Sequence, residues 1–104
     1  MLGWTQEHGP YVIEDEQTEF TRNAYSWNKF ANVIYFDSPA GVGYSICGKP
    51  EECDFDDDNS ADDNLKAFIS LMTDKLPQLQ ANDLYIAGES YAGIYVPKLA
   101  QKMD

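Results

Sequence analysis

The residues with the clearest capacity for chemistry lie at 88–93 and read Gly-Glu-Ser-Tyr-Ala-Gly. They fit the pattern Gly-x-Ser-x-Gly, in which a strand ends, the chain turns sharply on a serine and a helix begins. Glycines on both sides relieve the crowding of such a turn and leave the hydroxyl exposed. Ser90 is therefore a candidate nucleophile. The backbone N–H of Tyr91, the next residue, is a candidate donor to the oxyanion that forms on an attacked carbonyl.

The flanking sequence predicts the two elements that such a turn needs. Residues 84–87 form a short apolar run that is typical of a buried parallel strand. Residues 91–103 carry apolar side chains at helical spacing, so we expect a helix directly after the serine. The pattern alone is common, and its plain alternative is a turn of small residues. A strand, a turn and a helix in this order favour the nucleophile.

Three segments, in chain order, are similar to those of one enzyme family. Residues 88–97 resemble the active-site serine segment of the serine carboxypeptidases, residues 25–28 and 32–45 resemble the family's central strand and following loop, and residues 7–10 resemble its Glu-x-Gly-Pro motif. The resemblance spans nearly the whole chain and is least close over 47–59. It implies an α/β-hydrolase fold, with helices flanking a central, mostly parallel sheet. It also implies removal of C-terminal residues from peptides or proteins at acidic pH.

The resemblance assigns roles to particular residues. It implies that Glu89, when protonated, hydrogen-bonds the free carboxylate at the end of the peptide, which explains both the exopeptidase specificity and the acidic working range. Glu7 matches a family acid that lies near this glutamate, and neighbouring carboxylates disfavour ionisation of both together. The plain alternative for Glu7 is an exposed loop residue. We expect Ser90 and Tyr91 to be catalytic and Glu89 and Glu7 to bind the substrate.

These residues do not supply a complete catalytic triad or the whole oxyanion hole. In this fold the serine comes first, then the acid, then the histidine, yet Asp104 is the only Asp or His after Ser90. His8, the single histidine, is therefore not expected to be the base, and Asp37 is expected to fix its loop. The family's glycine-rich oxyanion loop is also absent. We expect residues 1–104 to be a partial α/β-hydrolase domain that is inactive and poorly folded in isolation.

Apolar patterning predicts further strands. Residues 11–13 suggest a short strand, and the polar residues 14–21 suggest a hairpin or loop. Residues 31–36 are rich in β-branched and aromatic side chains, as in a central strand that is covered on both faces. Ligands bind beyond the carboxyl ends of such strands, so the loop at 37–43 should border the substrate site.

Residues 51–63 are strongly acidic, with eight carboxylates in thirteen residues. Aspartates at 54, 56 and 58 open like a calcium loop, but its glycine and its final glutamate are absent, so no calcium site is expected. We expect a solvated loop that ends where Ser60 and Asp63 form a capping box. The helix that follows should end near Lys75, before Pro77. Its predicted apolar stripe against the sheet consists of Leu65, Phe68, Ile69 and Met72.

Composition restricts the partners. Eighteen acidic and seven basic residues give a net charge of −11, which argues against nucleic acid as a partner. No apolar run is long enough for a membrane span, and the first residues do not resemble a secretory signal. No cofactor or metal ion is expected.

The two cysteines bear on the compartment. Cys47 and Cys53 either form a local disulfide, which suits an oxidising compartment, or remain free thiols. The family resemblance implies a lysosomal, vacuolar or secreted enzyme.

Three hypotheses for function follow. The first is a fragment of an acid serine carboxypeptidase whose substrates are peptide or protein C-termini. The second is an acyltransferase on the same scaffold, as in some relatives of the family. The third is a truncated, non-catalytic chain that binds a partner through exposed sheet surface. The sequence leaves the choice among them open, together with the oligomeric state.

Overall fold

A computed structural model describes residues 3–16 and 18–104 of the protein. The chain forms two units, one that ends at Asp37 and one that covers Ser38–Asp104. The first contains a short hairpin and helical turns, and the second contains α-helices. The Gly-x-Ser-x-Gly turn and Glu7 therefore belong to different units.

The first unit is built on an antiparallel hairpin. Strand β1 (Tyr11–Val12) pairs with strand β2 (Thr21–Arg22), with Tyr11 opposite Arg22. The predicted short strand and hairpin are confirmed, although each strand has only two residues. Helical turns lie on either side, at Gly3–Glu7 and Trp27–Lys29.

The strands predicted at 31–36 and 84–87 are not formed. Both stretches are irregular, and side chains in them stay accessible: Ile34 is 43% exposed and Tyr85 is 86% exposed. A central strand needs hydrogen-bonded neighbours on both edges and cover on both faces. Neither stretch has hydrogen-bonded neighbouring strands among the described residues of its own unit. The mostly parallel central sheet therefore stays a prediction.

The second unit contains the helices that hold the Ser90 turn. Helix α1 spans Asp57–Ser70 and continues into a wider π-helical turn, Leu71–Lys75. The helical stretch ends before Pro77, as predicted. Helix α2 spans Ala92–Met103 and confirms the helix predicted after the serine. Short 3-10 turns lie at Pro50–Cys53 and Pro77–Leu79.

The start of α1 differs from the prediction. Its N-cap is Asp56, whose carboxylate accepts hydrogen bonds from the N–H groups of Asp58 and Asn59 at 2.9 and 2.7 Å. The Asn59 side chain accepts in return from the Asp56 N–H at 3.0 Å. This capping box begins the helix at Asp57 rather than after Ser60, because the Asn59 side chain accepts from the cap N–H as a Glu or Gln would. Part of the acidic run is therefore helix rather than solvated loop.

Helices α1 and α2 pack against each other and are joined by ion pairs. Lys98 Nζ lies 2.7 Å from Asp58 Oδ1, and Lys102 Nζ lies 2.7 Å from Asp62 Oδ1. Because later residues of α1 pair with later residues of α2, the helices run in the same direction. Between the two acids lies Ala61, which is 2% exposed and is the one buried hydrophobic residue among those described. The core of this unit is thus small.

The apolar stripe of α1 is only partly covered. Leu65, Phe68 and Met72 are half-buried, whereas Ile69 is 50% exposed. Among its described residues this unit forms no sheet, so the cover predicted for the stripe is not seen.

The Asp58–Lys98 pair predicts a pH dependence of stability. The hydrogen bond from Lys98 lowers the pKa of Asp58, and the same bond raises the pKa of Lys98. The contribution of Asp58 is present above its unfolded pKa and is lost as pH falls through the lower folded pKa. The contribution of Lys98 is present below its unfolded pKa and is lost as pH rises through the higher folded pKa.

We therefore expect Asp58→Asn to cause a small, salt-sensitive loss of thermal stability at neutral pH, because the pair is exposed. The loss should vanish in strong acid, where the wild-type carboxyl is already protonated. Thermal melts at both pH values and at low and high salt measure this. An equal loss of thermal stability at both pH values would show that the Asp58–Lys98 ion pair is not its cause.

The two cysteines of the chain are bonded to each other. Cys47 and Cys53 form a disulfide, which decides between the disulfide and the two free thiols that the sequence left open.

The aspartates of the calcium-like pattern have other partners. Asp56 caps α1 and Asp58 pairs with Lys98, so two of these carboxylates are already engaged. Across residues 3–16 and 18–104, no group of three or more possible ligands could hold a metal ion. In the same residues no helix has the length and apolar character to cross a membrane.

Candidate active site

Ser90 lies at a tight turn directly before α2. Its backbone has φ of 58°, in the left-handed region that residues other than glycine rarely adopt. The turn is closed by the Ala92 N–H, which donates to the Glu89 carbonyl, and by the Gly93 N–H, which donates to the Ser90 carbonyl, both at 3.0 Å. Ser90 is exposed. The serine is thus held out at the start of a helix, as the sequence predicts.

The backbone N–H of Tyr91 points away from α2. The Ser90 carbonyl belongs to the same peptide unit and is turned toward Gly93, along the helix. In a trans peptide the N–H points opposite to the carbonyl. No backbone carbonyl of the described residues accepts from this N–H. The partial positive charge of the helix start lies at the same end, so an anionic oxygen placed there would be stabilised.

Gly88 has no room for a side chain. A Cβ at this position would lie 2.4 Å from the Ala92 Cβ and 3.2 Å from the Val96 Cγ2. At Gly93 a Cβ would meet none of the described atoms within 4 Å. The expectation that both glycines relieve crowding therefore holds for Gly88 and is not supported for Gly93.

We expect Gly88→Ala to lower the free energy of unfolding by about 2 kcal/mol, the usual cost of forcing extra volume into a packed contact. Gly93→Ala is the matched control and should raise it by up to about 1 kcal/mol, because alanine favours a helix over glycine. Chemical denaturation of the protein that contains this chain measures both. Equal effects of the two substitutions would show that the contact with Ala92 is not formed.

The Tyr91 side chain connects the turn to α1. Its hydroxyl donates to Asp57 Oδ1 at 3.0 Å, and its ring meets the Tyr95 ring edge-on with centroids 5.0 Å apart. The hydrogen bond to Asp57 raises the pKa of Tyr91. The two residues are 34 positions apart, and the sequence carries no local signal of this contact.

A pocket of about 260 Å³ opens beside Tyr91. This volume lies just below the range of roughly 300–1,000 Å³ that is usual for pockets that bind drug-sized ligands. The loop at 37–43 contributes Pro39 to its wall, and its place beside the substrate stays a prediction. The other lining residues are Phe55, Asp56, Asp57, Ser60 and Tyr95.

The side chain of Glu89 is exposed next to Ser90. The residue is exposed, and its backbone carbonyl is fixed by the Ala92 N–H at 3.0 Å. Among the described residues its side chain makes no ion pair or side-chain hydrogen bond. The carboxyl group next to Ser90 is therefore accessible to a ligand.

The backbone around Glu7 is held by Asn23. The Asn23 Nδ2 donates to the Glu7 and Gly9 carbonyls, both at 2.9 Å, and its Oδ1 accepts from the Tyr25 N–H at 2.9 Å. The Glu7 side chain is 41% exposed, and its Oε2 lies 3.8 Å from the His8 Nε2. Sequence reasoning missed Asn23. An asparagine in an irregular stretch is a usual supplier of such backbone bonds, which is the signal that could have found it.

His8 is held by contacts within the first unit. Its Nδ1 lies 2.8 Å from the Tyr35 hydroxyl, and its ring stacks on Trp27 with centroids 4.4 Å apart. Partial burial raises the pKa of Tyr35. These contacts give His8 a structural role in its own unit. The loop-fixing role of Asp37 stays a prediction.

An exposed serine at positive φ directly before a helix is the nucleophile geometry of hydrolases with the Gly-x-Ser-x-Gly motif. The family model described as serine carboxypeptidase matches residues 1–104. The chain belongs to the serine carboxypeptidase family, and this family implies an α/β-hydrolase fold.

Individual relatives agree with the family. The chain is 43% identical to serine carboxypeptidase 24 of Arabidopsis thaliana, over 98% of this chain and 22% of that protein. It is 43% identical to serine carboxypeptidase-like 40 of Arabidopsis thaliana, over 94% of this chain and 20% of that protein. With serine carboxypeptidase ctsa-4.1 of Caenorhabditis elegans it is 41% identical, over 97% of this chain and 21% of that protein. The chain thus spans about a fifth of the length of these curated relatives.

Proposed function

We propose that these residues are the nucleophile segment of a serine-type carboxypeptidase. The observation that carries the proposal is the positive φ of Ser90 at an exposed turn before α2, in a chain that matches the family over its whole length. The Ser90 Oγ attacks the carbonyl carbon of the last peptide bond and forms an ester, while the terminal residue leaves as an amine. Water then hydrolyses the ester. The Tyr91 N–H donates to the oxyanion in both steps.

The serine also needs a general base and an acid, which follow it in this fold. We propose that they lie in further parts of a longer α/β-hydrolase domain. The length of the relatives supports this, since the chain spans only 22% of serine carboxypeptidase 24. Exposed apolar side chains support it as well, since Ile46 is 87% and Tyr85 is 86% exposed in the structure, and a complete domain would cover such groups.

Recognition of the peptide end is assigned to Glu89. Its exposed carboxyl group adjoins the nucleophile in sequence, and in the protonated form it can donate a hydrogen bond to the substrate carboxylate. An ionised Glu89 would repel that carboxylate, which gives the enzyme an acidic working range. Glu7 is assigned to substrate binding through its match to the family's Glu-x-Gly-Pro motif.

The disulfide between Cys47 and Cys53 supports an oxidising compartment, and we propose a lysosomal, vacuolar or secreted location. The reaction as proposed uses no cofactor or metal ion. An acyltransferase would share the ester on Ser90 and differ only in its acceptor, an alcohol or amine in place of water.

The test compares one peptide with a free C-terminus and its C-terminal amide, incubated at acidic pH with the full-length protein. A carboxypeptidase should remove one residue from the free peptide and act at least about 100-fold more slowly on the amide, because the site's polar groups lose their partner. Equal rates, or cleavage within the peptide, would contradict the proposal. An ester product that exceeds hydrolysis in the presence of an added alcohol would identify the acyltransferase instead.

A further inference from the structure

We infer that Asp57 is a positioning residue for the reaction, because it holds Tyr91 by its hydroxyl and so orients the N–H that follows Ser90. The inference rests on the proposed function, in which this N–H stabilises the oxyanion. Asp57 itself is not assigned any contact with the substrate or the reacting atoms.

The anchor at Asp57 is itself well fixed. Asp57 is the first residue of α1, and the capping box of Asp56 and Asn59 holds that end of the helix. From there the Asp57 carboxylate accepts the Tyr91 hydroxyl at 3.0 Å. The edge-on contact with the Tyr95 ring, one helical turn further on, fixes the Tyr91 ring from another side. The Tyr91 side chain is therefore held at two points.

The Tyr91 backbone is fixed on one side only. Its carbonyl accepts from the N–H groups of Ile94 and Tyr95, at 2.9 and 3.4 Å. Its own N–H has no backbone partner among the described residues, and the preceding residue, Ser90, has a strained positive φ. A strained turn keeps its geometry only when its surroundings hold it. The hydrogen bond to Asp57 is a side-chain contact that acts directly on this turn.

Contacts other than that of Asp57 also join the two helices. The Asp58–Lys98 and Asp62–Lys102 pairs join α1 and α2 at 2.7 Å each. They lie about two and three helical turns beyond Tyr91, at 3.6 residues per turn. Asp58 is thus a matched control, since it neighbours Asp57, carries the same charge and also contacts α2, but at a site away from the turn.

The test measures kcat and KM of the full-length protein on a peptide with a free C-terminus. Tyr91→Phe and Asp57→Ala should each lower kcat about tenfold with KM changed less than about twofold, since small misplacements of a catalytic donor cost rate rather than binding. The double variant should lose no more than either single variant, because both remove the same contact. Asp57→Asn should retain most of the rate, since its amide oxygen still accepts the hydroxyl. Asp58→Ala should leave kcat within about twofold of the wild type.

Several outcomes would overturn the inference. These are an unchanged kcat in Tyr91→Phe, a multiplied loss of about 100-fold in the double variant, or equal losses in Asp57→Ala and Asp58→Ala. If Asp57→Ala does not fold, Tyr91→Phe and Asp57→Asn still test the inference, because each alters a single polar group of the contact. Failure of the proposed function would look different, as the wild type would then show no hydrolysis that depends on Ser90, and the inference would fall with it.

Discussion

Ser90→Ala is expected to abolish hydrolysis by the full-length protein, with a loss in kcat of about 10⁶-fold, because no other group replaces the nucleophile. Ser90→Gly should be equally inactive. Since glycine adopts the positive φ of this turn without strain, its inactivity cannot be attributed to a collapsed turn. Steady-state rates on a peptide with a free C-terminus, together with thermal melts of both variants, measure this.

Ser70 provides the matched control for the nucleophile. It lies in the same unit, at the exposed end of α1, where its hydroxyl donates to Asp74 Oδ2 at 2.9 Å. Ser70→Ala should leave kcat within about twofold of the wild type. Residual hydrolysis above about 1% in Ser90→Ala, or an equal loss in Ser70→Ala, would place the chemistry elsewhere.

Glu89→Gln is expected to flatten the pH dependence of substrate binding. A carboxylic acid donates a hydrogen bond to the substrate carboxylate only when protonated, so the wild-type KM should rise with pH. Glutamine keeps its donor at every pH. We therefore expect a KM for the variant that is nearly constant between about pH 4 and 8, and lower than the wild-type KM at the upper end by about tenfold, the usual value of one hydrogen bond to a charged group. KM measured across this range for both proteins gives the comparison.

Glu51→Gln is the control for this experiment, since it removes the charge of another exposed glutamate in the same unit. Its pH profile should match the wild type. A steep profile that persists in Glu89→Gln would show that some other group governs recognition of the carboxylate. A parallel flattening in Glu51→Gln would show that the surface charge as a whole acts on binding.

The sequence predicts the local features of the structure well. Helix α2, the end of the α1 helical stretch before Pro77, the hairpin near Tyr11 and the Ser90 turn all depend on residues that are close together in the chain. Apolar spacing, proline and the serine motif suffice to place them. The start of α1 also has a local origin, because Asp56 and Asn59 form a capping box that begins the helix ahead of Ser60.

Long-range features could not be predicted in this way. The strands expected at 31–36 and 84–87 depend on neighbours and cover that the described residues do not supply. The contact of Tyr91 with Asp57 spans 34 positions. Asn23 acts on backbone groups of Glu7 and Gly9, up to 16 positions away. The local sequence of each segment does not indicate which distant residues it contacts.

The most direct test of the nucleophile is labelling of the full-length protein with a fluorophosphonate, which reacts with activated serines, followed by peptide mapping by mass spectrometry. We expect one label per chain, located on the peptide that contains Ser90 and lost in Ser90→Ala. Hydrolytic activity without a label on Ser90, or a label on another serine, would contradict this expectation.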